Sequence, residues 1–274
     1  MKAMKLGIYE KALPLSEDIE GVLYSAAEAG YSLFEIALDK DRLPRFQWST
    51  EEKATWLRAS LNSGVHFSNM VLSAHRDYPF GSKETKVREQ ALQIMEQAVD
   101  FSASMGIRTI QIAGYYTLEY EETTEDSKKR FIEGMHQSAE LASQAGVMLG
   151  IENVDRDIIS LGQMKEIVEK VNSPWMKMYP DVGNLTAHHF DVKQSLVENV
   201  QHFVGIHLKD TKEGVFRRVP YGEGIVDFKG VFEVLFDAGY AGPFALEMWN
   251  DNSENSMEII KEARTWILDQ MPQL

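Results

Sequence analysis

The stretch "ASQAGVMLGIEN", Ala142–Asn153, decides the fold. Its first part is the end of a helical segment, closed by a small residue and Gly146. Glycine suits the left-handed position that ends many helices, because it has no Cβ to clash there. "VMLGI" follows, an apolar run of the length that fills a buried strand. The run stops at Glu152, with Asn153 behind it. A carboxylate in that place is either the point where a strand leaves the core or a group positioned to hold something.

The same unit recurs along the chain. "AAEAGYSLFEIAL", "LNSGVHFSNMVLS", "SASMGIRTIQIA" and "FDAGYAGPFALE" place Gly30, Gly64, Gly106 and Gly239 at helix ends ahead of apolar strands. "VNSPWMKMYPD" does the same job with Ser-Pro. "STEEKATWL" signals a helix start, with Ser49 and Thr50 ahead of Glu52 in a near capping box. Eight strands are expected, near Leu6–Tyr9, Leu33–Leu38, His66–Ser73, Thr109–Ala113, Val147–Ile151, Met176–Tyr179, Phe203–Ile206 and Phe244–Leu246. Strands alternating with helices of this length predict a parallel sheet. Eight units in 274 residues predict an α/β fold, a (β/α)8 TIM barrel, as a single domain over residues 1–274. An open doubly wound sheet is the competing architecture. No GxGxxG follows the first strand, which weakens its dinucleotide-binding form.

Composition narrows the function. Hydrophobic residues make up 44% of the chain, enough for a sizeable core. There is no cysteine, so disulfides and zinc–thiolate sites are excluded. "MKAMKLGIYE" lacks the apolar centre of an export signal, and no run approaches the length of a membrane span. A soluble, cytoplasmic protein is expected. The net charge of −14 argues against a nucleic-acid partner, which needs a basic surface.

Four consecutive strands of the second half end in metal-type ligands: Glu152, Asp181, His207 and Glu247. In a barrel all four converge at the C-terminal mouth, where such enzymes keep their active sites. Alone, each carboxylate reads as a solvated strand exit and the histidine as a satisfied core residue. Together they would repel one another without a cation to offset them. Three carboxylates and an imidazole, with no thiolate, suit one divalent metal ion: Mn²⁺, Mg²⁺, Co²⁺ or Zn²⁺. Asn184, three residues after Asp181, is a candidate supporting donor. His75 follows the third strand and is a candidate for the mouth; the other histidines read as packing or surface residues.

An acidic chain that binds an anion needs a local basic cluster. "HLKDTKEGVFRRVPYGEGIVDF" supplies one after the seventh strand, with Lys209, Lys212, Arg217 and Arg218. Loops there often bind phosphate in such barrels. Lys209 stands two residues past a ligand and is expected to contact substrate, whereas Lys212 reads as solvated. The choice between Arg217 and Arg218 is open, and Lys11 and Arg76 are possible additions from other mouth loops.

The chain resembles the L-ribulose-5-phosphate 3-epimerases, also called L-xylulose-5-phosphate 3-epimerases, of the xylose-isomerase-like barrels. The likeness is carried by "LGIYEKALP", "LSAHR", "GIRTIQIAGY", "YPDVGNL", "HLKDTKEGVFRRVPYGEGIVDF" and "GPFALEMW", nearly end to end. It implies interconversion of L-xylulose 5-phosphate and L-ribulose 5-phosphate in bacterial L-ascorbate breakdown. It also implies that Glu152, Asp181, His207 and Glu247 are the ligands and that the two glutamates double as the acid–base pair. Epimerisation at C3 breaks a C–H bond beside a carbonyl, so two carboxylates on opposite faces are the expected machinery. The expected partner is a small sugar phosphate, with no nucleic acid and no membrane, and a homodimer is a possible assembly. Three alternatives differ in class. An isomerase of unphosphorylated sugars would not need the basic loop. A metal-dependent endonuclease on the same barrel would need a basic groove. A non-catalytic binding module would leave the four ligands unexplained.

Overall fold

The computed structural model describes residues 6–14 and 19–272. The first five residues, where an export signal was sought, lie outside them. Eight parallel strands form one sheet: β1 (Leu6–Tyr9), β2 (Leu33–Ala37), β3 (His66–Leu72), β4 (Thr109–Ala113), β5 (Met148–Glu152), β6 (Met176–Met178), β7 (Ile206–Leu208) and β8 (Phe244–Leu246). The strands pair in the order β6-β5-β4-β3-β2-β1-β8-β7. Single parallel bridges, Met178 to Phe203 and Asp181 to His207, close β6 onto β7. Pro180 interrupts the ladder there, since it has no N–H to donate. Its carbonyl still accepts from the His207 N–H at 2.8 Å. The seam of the barrel therefore runs between two of the four expected ligands.

The helices wrap the outside: α1 (Ile19–Glu28), α2 (Thr50–Ser63), α3 (Thr85–Met105), α4 (Glu125–Ala145), α5 (Leu161–Val171), α6 (Val182–Ala187), α7 (Val192–Asn199), α8 (Phe228–Asp237) and α9 (Ser256–Asp269). In α3 the buried residues Ala91, Ile94, Met95, Ala98, Phe101, Ser102 and Met105 recur at the three- and four-residue spacing of one helix face. Each large apolar side chain on that face contributes roughly 1.5–3 kcal/mol by leaving water. Gly106 ends the helix at φ 71, and the Ile107 N–H turns back to the Ser102 carbonyl at 2.9 Å. Gly30, Gly64, Gly146 and Gly239 are left-handed too, as expected. Ser49 caps α2 in a full capping box with Glu52.

Two expectations need correction. α5 ends on Asn172 in the left-handed conformation at φ 47, so asparagine rather than the following Ser-Pro makes that turn. The seventh strand begins at Ile206, not Phe203, because Val200–His202 form a 3-10 turn ahead of it. His207 is thereby a strand residue with both neighbours paired to β8.

Candidate active site

Alternation along each strand turns every second residue into the barrel. On β2 this is Glu35, on β3 Asn69, on β4 Gln111, on β5 Glu152 and on β7 His207, and all five are buried. Tyr179, just past β6, lies across the interior, and Gly205 leaves space for its ring: a Cβ at that position would overlap it.

These side chains form one hydrogen-bonded chain. The Tyr179 hydroxyl donates to Glu35 Oε1, and Asn69 Nδ2 donates to the same oxygen at 3.0 Å. Glu35 Oε2 lies 2.8 Å from His207 Nε2, and His207 Nδ1 lies 2.6 Å from Glu152 Oε1. Gln111 donates to the other oxygen of Glu152. Above this chain, Lys209 Nζ sits 2.7 Å from Asp181 Oδ2 and 2.9 Å from Glu247 Oε2. One ligand atom from each of Glu152, Asp181, His207 and Glu247 lies within 4.8 Å of every other, so the four expected ligands do converge and could hold a metal ion.

Local structure holds each of them. Asp181 caps α6, its Oδ1 accepting the Asn184 N–H at 2.8 Å. Asn184 also donates its side chain to the Asn153 carbonyl, and Asn153 in turn exchanges hydrogen bonds with the backbone of Asp181 at 2.8 and 3.0 Å. Asn184 thus lies beside Asp181, and Asn153, which was not singled out, links the two.

Burial and charge act against each other here. Burial raises Glu152 above the usual carboxylate range, more than the His207 contact lowers it. Burial likewise pushes Asp181 up to about 7, against the pull of Lys209. Glu247 goes the other way: burial opposes its charge, but Lys209 and His207 hold it far below the ordinary value. His207 is disfavoured as a cation by burial, yet Glu35 and Glu152 raise it well above the usual imidazole range.

The donor set fits a divalent ion. Three buried carboxylates, Glu35, Glu152 and Asp181, and the partly buried Glu247 face one ammonium and one imidazole, so anionic groups outnumber cationic ones. Asp181 Oδ1 is committed to the Asn184 N–H, and its Oδ2 is the oxygen turned to the cluster, 2.7 Å from the Lys209 ammonium.

The basic residues separate. Lys209 is buried inside the carboxylate cluster. Arg217 lines a cavity of about 670 Å³ with Arg76, Arg156, Tyr115 and Asp155. Its guanidinium approaches Asp155 at 3.4 Å and lies 6.0 Å from the centre of the Trp249 ring. Arg76 stacks on Tyr115 at 5.0 Å. Arg218, its neighbour in sequence, has φ 61 and lines a different cavity of about 700 Å³, with Lys209, Glu247 and Trp249 in the wall. Lys11 is tied to Asp39 at 2.6 Å. Lys212 pairs with Glu223 at the surface, as expected. Asp210 shapes the loop by accepting from the backbone of Thr211, Gly222 and Gly224.

His75 does not join the cluster. Its Nε2 contacts the Ala91 carbonyl on α3 at 3.1 Å and its ring packs on Phe80. Burial lowers it to about 4, so it is neutral in the fold. Its ordinary value is 6.5. Between those values the unfolded chain binds a proton that the folded chain refuses. Stability is therefore complete above pH 6.5 and falls as pH drops towards 4. From pH 7.5 to 5 this group accounts for a loss of about 2 kcal/mol. Urea unfolding of a His75→Gln variant should show that much less loss over the same interval. An equal loss in both proteins would refute the assignment.

Glu35, Asn69, Gln111 and Tyr179 are the site residues that sequence reasoning missed. The available signal was a polar residue inside an apolar strand, as in "LFEIAL" and "TIQIA".

Residues 23–270 match the family model of the xylose isomerase-like TIM barrel. L-ribulose-5-phosphate 3-epimerase UlaE of Escherichia coli (strain SMS-3-5 / SECEC) is 41% identical over 273 residues, 98% of this chain and 96% of that one. The same enzyme of Escherichia fergusonii matches equally. Among solved structures, L-ribulose 3-epimerase superposes with a TM-score of 0.79 at 20% identity, over 98% of this chain and 95% of that one. D-psicose 3-epimerase of Clostridium cellulolyticum H10 gives 0.83 at 16% identity, over 98% and 100%. These structures share the fold. Among the described residues, no helix is long and apolar enough to cross a membrane.

Proposed function

The chain belongs to the xylose isomerase-like TIM barrels and, within them, to the L-ribulose-5-phosphate 3-epimerase family, and from that premise we propose that it interconverts L-ribulose 5-phosphate and L-xylulose 5-phosphate. It is an enzyme of the isomerase class. The observation that carries the substrate is the end-to-end identity of 41% with enzymes of that name. A cytoplasmic role in L-ascorbate catabolism is part of the same proposal.

Glu152, Asp181, His207 and Glu247 hold one divalent ion in this reading, with Zn²⁺ or Mn²⁺ foremost. When bound, the ion supplies Lewis-acid stabilisation of the charge that develops on the ketose oxygens. The protein's own groups do the rest. The C3 hydrogen is acidic because the C2 carbonyl adjoins it. Glu152 and Glu247 take and return that proton, one on each face of C3. Asp181 is held rigid by Asn153 and Asn184, which fixes its carboxylate at the mouth. Lys209 compensates Asp181 and Glu247 at the reacting end, so the phosphate is left to the mouth arginines, Arg217, Arg218 and Arg76.

The test compares L-ribulose 5-phosphate with L-ribulose. Each charged hydrogen bond to the phosphate should favour the former by about 10- to 150-fold in kcat/KM. Arg217→Ala or Arg218→Ala should raise KM for the phosphorylated sugar alone. Equal kcat/KM for the two sugars would refute the substrate. Unchanged kinetics in both arginine variants would place the phosphate elsewhere.

A further inference from the structure

We infer that Glu35 is the positioning residue that presents His207 to the divalent ion, by keeping the imidazole proton on Nε2. The inference rests on the proposal that Glu152, Asp181, His207 and Glu247 form a metal site.

The two nitrogens of His207 face opposite ways. Nδ1 looks into the ligand cluster, 2.6 Å from Glu152 Oε1 and 3.9 Å from Glu247 Oε2. Nε2 looks away from it, to Glu35 Oε2 at 2.8 Å. Both nitrogens face a carboxylate, so it is the ion that selects between them: with Nδ1 given to the metal, the ring hydrogen sits on Nε2, where Glu35 Oε2 is placed to accept it. A neutral ring protonated on Nε2 carries its lone pair on Nδ1, the nitrogen turned to the other ligands.

Glu35 is built to make that one contact. It has no exposed surface and sits behind the imidazole, so it acts through His207 and not on substrate. Its Oε1 is already committed to Asn69 and Tyr179, which leaves Oε2 for the ring. The Tyr179 ring packs edge-on against the imidazole, centroids 4.9 Å apart, and limits its rotation. Gly205 admits that ring, since any side chain there would displace it. Four strands and their exits thus cooperate to fix one tautomer. Outer carboxylates on ligating imidazoles typically contribute about 10- to 100-fold in metal affinity.

The experiment titrates metal-free protein with Co²⁺ against a competing chelator and reads the d–d absorption bands. Glu35→Gln should bind Co²⁺ about 10- to 100-fold more weakly, with altered bands. Phe101→Leu, a core change on α3, serves as the reference for general loss of stability and should keep parental affinity. Parental affinity in Glu35→Gln, or a loss no greater than in Phe101→Leu, overturns the role of Glu35 alone. No Co²⁺ binding by the parent overturns the metal site as well. Should Glu35→Gln not fold, imidazole ¹⁵N spectra of the Zn²⁺-loaded parent decide, with the His207 signals identified by their absence from His207→Gln. A proton on Nε2 supports the role, and a proton on Nδ1 overturns it.

Discussion

Exhaustive chelation is expected to lower epimerase turnover by at least ~100-fold, the scale on which one preorganised group that stabilises a developing oxyanion is felt. The barrel should survive the treatment. The carboxylates have partners within the protein: Lys209 lies against Asp181 and Glu247, and His207 against Glu35 and Glu152. Far-UV circular dichroism should not change. Adding back a divalent ion should restore turnover and raise the unfolding midpoint, because a ligand that binds only the folded state stabilises it by about 4 kcal/mol at a thousand times its Kd. Full turnover in protein free of metal by mass spectrometry would remove the ion from the mechanism.

The barrel was legible because its signals are local. A glycine such as Gly106 suits the left-handed turn after a helix whatever the tertiary structure, and only at Asn172, of the helix ends expected, does another residue take that place. The four ligands were legible for a related reason: a charge at the end of an apolar run has few other uses. Glu35 and Gln111 escaped because a polar residue in mid-strand looks like ordinary alternation. Only closure of the sheet shows that their face is the barrel interior and that His207 and Glu152 meet them there. Lys209 was placed near the substrate from its closeness to His207. The period of two along a strand carries more information, since it sets residues 207 and 209 on the same inward face. That is why the ammonium lies among the carboxylates. Arg217 and Arg218 could not be told apart in advance. The left-handed backbone at Arg218 sends the two side chains into different cavities, and nothing in "VFRRVP" marks it.

Glu152→Gln and Glu247→Gln should each abolish net epimerisation, with a loss of roughly 10²- to 10⁴-fold, the usual contribution of a positioned acid or base. The two carboxyls share a cluster but not an environment. Burial raises Glu152, whereas Lys209 and His207 depress Glu247 despite its burial. The two glutamates leave strands β5 and β8, with Asp181 and His207 between them, so a sugar seated at the mouth would have one on each side. Epimerisation needs both, because the proton removed from one face must be replaced on the other. Exchange needs only one. Each variant should therefore still exchange the C3 hydrogen of a single epimer with solvent deuterium, and the two variants should select opposite epimers. Glutamine keeps a ligand oxygen, but metal content must be measured in both, since each glutamate also belongs to the ligand set. With metal bound, near-parental turnover in either variant would reduce that glutamate to a ligand. Exchange of the same epimer in both would show that one carboxylate serves both faces.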